Sequence, residues 1–74
     1  MRRDMQFRAV DEWALASDGV QWVLHRERGG MWHALSFARA KATLARCMAT
    51  RGVPRDIADL LLDGLPDSFE AEAA

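Results

Sequence analysis

The chain has a single cysteine, no long apolar run, almost no net charge and no catalytic signature. Each absence excludes something. Cys47 alone cannot build an intramolecular disulfide framework, the usual staple of small secreted domains. The longest purely aliphatic stretch is Leu60-Leu61-Leu62, far short of the roughly 20 residues that span a bilayer. Met1 to Arg8 carries the positive charge of a signal peptide, but Asp4, Gln6 and Arg8 interrupt any apolar run. A cytoplasmic protein with reduced Cys47 is expected.

Chemistry is equally sparse. His25, His33 and Cys47 are the only imidazole or thiol groups, and no two have a recognised metal-ligand spacing. Cys47 falls on an apolar helix face beside Leu44 and Met48, which is the place of a buried small hydrophobe rather than a nucleophile. No nucleophile elbow, P-loop, dinucleotide fingerprint or zinc-protease pattern is present. Gly29-Gly30 precedes a strand rather than a helix, so it makes a turn and not a phosphate cradle. So short a chain could hardly enclose a substrate pocket of roughly several hundred cubic ångströms. Neither enzyme activity nor a metal or cofactor is expected.

What is present is a foldable pattern. Seventy-four residues, half of them apolar, make one domain with one small core. Asp18-Gly19 is a strong hairpin signal, because a type I′ turn needs positive φ at both central residues. With those two as the loop, Ser17 faces Val20, Leu15 faces Trp22 and Trp13 faces Leu24. The opposite face then pairs Ala16 with Gln21, Ala14 with Val23 and Glu12 with His25. A third strand, Met31 to Leu35, follows the Gly29-Gly30 turn. An even loop puts Met31, His33 and Leu35 on the Leu24 face; an odd one puts Trp32 there. Core or edge packing is favoured for Trp32, and an outward Trp32 would mark an interface.

The second half reads as helices. Ser36 can cap a helix to about Arg51, with Phe37, Ala40, Leu44, Cys47 and Met48 on one face. Arg39, Thr43, Arg46 and Thr50 share the other. Gly52 ends it, and Pro54 opens a second helix through about Asp63. There Ile57, Ala58, Leu60 and Leu61 span the expected buried arc, with Asp56, Asp59 and Asp63 opposite. Leu65 and Phe69 fold back onto the core. The fold class is thus α+β: a small antiparallel sheet of three strands, then two helices on one face. Residues 1–11 are an edge strand or arm, and Met5 to Val10 would make a fourth strand. The sheet occupies 12–35, the helices 36–65, and a frayed tail 70–74. Dimerisation, as a homodimer, or docking onto a partner would cover the sheet's other face.

Charge is informative in its distribution. Residues 1–55 hold all ten basic side chains and five acidic ones, a net +5; residues 56–74 hold six acidic and no basic ones, a net −6. Leu44 to Leu61 superficially resembles a helix-turn-helix, but its second helix would bring three aspartates to the phosphates. Met48 also stands four residues before the turn glycine, where that packing wants a small residue. Asp56, Asp59, Asp63 and Asp67 are therefore candidate contacts for a protein partner, such as a nucleic-acid-binding complex. An acidic helix stripe can lie in a basic groove and compete for its Lys and Arg residues. Direct binding of DNA or RNA through Arg39, Arg46 and Arg51 is the alternative.

In size, in lacking a catalytic motif and in the acidic run Asp56 to Glu72, the chain resembles small accessory proteins of phages and mobile elements, the anti-CRISPR inhibitors among them. That resemblance implies a stoichiometric inhibitor that blocks the DNA-binding surface of a surveillance complex, with Asp56, Asp59 and Asp63 touching the partner. The arginine-rich first half departs from whole-surface DNA mimicry and favours ordinary protein docking.

Overall fold

A computed structural model describes residues 7–69. Strands β1 (Arg8–Val10), β2 (Trp13–Ser17), β3 (Trp22–Arg28) and β4 (Met31–Ala38) precede helices α1 (Lys41–Arg51) and α2 (Arg55–Leu62). The strands form one antiparallel sheet in the order β1-β2-β3-β4, and both helices pack on one face of it. This is the expected α+β architecture with its fourth strand present. Residues 1–6 of the expected edge strand or arm, and the expected tail 70–74, lie outside the described residues.

The first hairpin turns one residue later than the Asp18-Gly19 signal implies. The Asp18 N–H donates to the Gln21 carbonyl at 3.2 Å, leaving Gly19 and Val20 as the loop. Asp18 Oδ1 accepts the Val20 and Gln21 amides at 2.9 and 3.0 Å. An aspartate making that Asx turn belongs at the first turn position, which leaves Gly19 (φ 91°) to begin the loop. Ser17 consequently pairs with Trp22, Leu15 with Leu24 and Trp13 with Arg26. A two-residue displacement of partners keeps every side chain on its face. Trp13, Leu15, Trp22 and Leu24 still share the helix-covered side; Glu12 gives up His25 for Arg26, at 2.8 Å.

The second loop is the even one. Gly29 and Gly30 have φ of 60° and 81°, the positive pair that a type I′ turn requires. Met31 pairs with Arg28 and His33 with Arg26, which places both on the Leu24 face. A bulge then leaves Leu35 unpaired, so that Ser36 rather than Leu35 lies opposite Leu24. The bulge reverses the alternation along β4. As a result Trp32 and Phe37 both point to the helix-free face. Trp32 is therefore on an edge strand but away from the core, 38% exposed, its ring 5.5 Å from that of Phe7 and edge-on.

The same strand displaces the expected helix start. Ser36 to Ala38 complete β4 against Trp22 to Leu24, so Ser36 is no cap and Phe37 leaves the helical face. α1 begins at Lys41, whose N–H donates to the Asp67 carbonyl at 2.8 Å in place of a side-chain cap. Gly52 (φ 87°) ends α1 as expected, and Pro54 precedes the first helical residue of α2. Leu24, Leu44, Met48 and Leu61 are fully buried, and each such side chain contributes about 1.5–3 kcal/mol. Leu65 and Phe69 do fold back, with Phe69 edge-on to Trp22 at 5.3 Å. Cys47 is half-buried rather than buried.

α2 is rotated from its expected setting. Ile57, Leu61, Ala58 and Leu62 face the core, whereas Leu60 is 57% exposed. At 100° per residue the inward four fall within an arc of about 140° centred between Leu61 and Ala58. Leu60 lies outside that arc, beside Asp56. Packing Leu62 inward turns Leu60 out.

Candidate functional site

The outward arc of α2 carries Asp56, Asp59 and Leu60, and Asp63 follows at the C-cap, all four exposed. Two of the four expected acidic contacts are thus on the helix and a third is at its end, and Leu60, expected in the core, stands exposed beside them. Asp67 is not on this helix. It lies on the segment behind it, where its carbonyl holds the α1 N-terminus. Asp59 Oδ1 is 3.8 Å from Arg55 Nε, and both side chains are so exposed that water screens most of the attraction. Asp56 sits in the first turn, where a carboxylate favours the helix dipole.

Arg8 fixes the arc in place. A helix end leaves its last carbonyls without partners, and α2 has neither a left-handed cap nor a basic residue in its last turn. From β1, Arg8 Nη1 donates to the carbonyl oxygens of Leu60, Leu61 and Asp63 at 3.3, 3.0 and 2.8 Å. A strand cation thereby caps a helix more than fifty residues away. Nothing local in the sequence signals this contact.

The alternative, arginine-lined surface is less complete. Arg39 and Arg46 are exposed, but Arg51 is committed to β4. Its Nη2 donates to the Leu35 carbonyl at 2.7 Å and its Nε to Ser36 Oγ at 3.2 Å. The guanidinium thus satisfies the carbonyl freed by the bulge rather than facing a phosphate.

The helix-free sheet face is a third surface. It presents Phe7, His25, Glu27, Trp32, Ala34 and Phe37, while Val23 on the same face is buried. Phe7 and Phe37 are 51% and 55% exposed. His25 Nδ1 hydrogen-bonds the Val23 carbonyl at 3.1 Å, and its ring lies 6.2 Å from Phe7. On the other face the Arg26 guanidinium covers Trp13 at 4.7 Å from the ring centre. No group of three or more His, Cys, Asp or Glu among the described residues is placed to hold a metal ion. No helix among them is long and apolar enough to cross a membrane. The chain matches no protein-family model, no curated protein and no solved structure.

Proposed function

We propose that the chain is a non-enzymatic protein-interaction module that docks stoichiometrically through the outward arc of α2. The observation that carries this reading is the composition of the arc: two carboxylates beside an exposed leucine on the helix, with a third carboxylate at the end that Arg8 clamps. A leucine supplies apolar contact area and the aspartates supply steering and orientation toward a basic groove. Such a groove is the kind that otherwise holds nucleic acid. The finer form of the proposal is an inhibitor of a nucleic-acid-binding complex, in the manner of the anti-CRISPR proteins that the sequence resembles. A cytoplasmic setting belongs to this reading, with the free Cys47 kept reduced.

The test is capture of partner proteins by immobilised wild-type chain, Asp59→Arg with Asp63→Arg, and Arg39→Glu with Arg46→Glu. The proposal expects capture to be lost with the aspartates and kept with the arginines. The reverse pattern, with nucleic acid held in a salt-sensitive manner, overturns it in favour of a DNA- or RNA-binding protein.

A further inference from the structure

We propose that β4 is a self-pairing edge and that the chain dimerises through it, strand against strand about a two-fold axis at His33. The argument does not depend on the α2 reading and concerns a different surface. Among the described residues no strand lies beside β4 on its outer side. The hydrogen-bonding phase of β4 is fixed twice over. The two-residue Gly29-Gly30 loop makes Arg28 and Met31 a hydrogen-bonded pair, so Arg26 and His33 are one too. The Glu27 N–H donating to the Glu12 carbonyl at 2.8 Å gives β3 the same phase from its other side. The N–H and C=O groups of Trp32 and Ala34 therefore point outward, away from the sheet.

Natural edge strands are commonly protected by lysine, proline, a bulge or brevity. β4 has eight residues, with no proline and no Lys, Arg, Asp or Glu. Its bulge and Arg51 close only the end near Leu35. Met31 to Ala34 are left exposed, past the region that the helices cover. A second copy fits this open stretch. With the axis at His33, Trp32 meets Ala34 of the other copy and Ala34 meets Trp32, so all four outward residues pair through four hydrogen bonds. Both helix-free faces then lie on the same side. Each indole falls across the strand junction onto an alanine, a large side chain against a small one, and no formal charge meets a like charge. His33 faces its own counterpart in a non-hydrogen-bonded pair. The contact is short, which makes the dimer a weak one by the usual area requirement.

Sedimentation over a range of concentrations tests the proposal. Average mass should climb from 8.3 kDa toward twice that value as concentration rises. Ala34→Pro removes an outward N–H that the monomer does not use, so it should remain folded and stay monomeric. In a Cys47→Ser background, His33→Cys should form a disulfide-linked dimer on mild oxidation, since a non-hydrogen-bonded pair brings its α-carbons to about 4.5 Å, within the span of a disulfide. Thr50→Cys on exposed α1 serves as the collisional control. A wild-type chain that stays monomeric throughout overturns the proposal. So does a dimer that folded Ala34→Pro leaves intact, or a His33→Cys variant that oxidises no faster than Thr50→Cys.

Discussion

The guanidinium of Arg8 donates to the main-chain carbonyl of Asp63 at 2.8 Å, tying the first strand to the end of the last helix. The same nitrogen reaches Leu60 and Leu61. Arg8→Ala should therefore loosen α2 specifically, lowering stability by about 1–2 kcal/mol in urea unfolding. Amide exchange should speed up at Leu60 to Asp63 before it does in β3. Uniform exchange across the two elements would contradict the capping role.

Neighbouring leucines in α2 should behave oppositely. Leu61 is fully buried, so Leu61→Ala is expected to cost about 2–5 kcal/mol, enough to unfold much of so small a domain. Leu60→Ala should stay within about 0.5 kcal/mol, because the side chain already faces water. Thermal melts of the two variants decide it. Equal losses would mean that α2 is not rotated as described.

Asp18 makes the first turn pH-sensitive. Hydrogen bonds from the Val20 amide, then the Gln21 amide, hold its carboxyl below the ordinary value of 3.8. A lowered folded-state value means that the group's contribution is fully present above the ordinary carboxylate range. It is lost as pH falls through the lowered value. The stability difference between wild type and Asp18→Ala should be constant near neutrality and shrink below about pH 4. A difference unchanged down to pH 2 would remove the turn carboxylate from the account.

The three tryptophans should separate by solvent access. Trp13 and Trp22 are 3% and 6% exposed, against 38% for Trp32. Acrylamide should quench mainly Trp32, and Trp32→Phe should abolish most of the accessible emission. Strong quenching that survives this substitution would mean that Trp13 or Trp22 is open to solvent, against the burial described.

Face assignments were legible in the sequence where period-two alternation was regular. Trp13, Leu15, Trp22 and Leu24 reached the core side even though the turn slipped, because partners moved by two and the pleat repeats every two. The slip itself came from a competition that spacing does not resolve: an aspartate can occupy a central I′ position or bond the amides ahead of it. At β4 the bulge after Ala34 broke the alternation, and without it Phe37 reads as helical. The acidic arc was readable from the i, i+3, i+7 spacing of its aspartates. Leu60 was not, since Leu60, Leu61 and Leu62 are chemically alike and only packing against β1 and α1 selects which one turns out. Arg8 and Arg51 were invisible for a different reason: both serve main-chain carbonyls that exist only once the strands and helices have met.

The central claim is docking by the α2 arc, and the direct measurement is capture by the Asp59→Arg, Asp63→Arg chain relative to wild type. Both side chains are exposed, and the Arg8 bond uses the Asp63 carbonyl, so the variant should melt like the wild type. Its partner affinity should fall by about tenfold or more, as two charge reversals opposite a basic groove require. Undiminished capture by this folded variant would contradict the account.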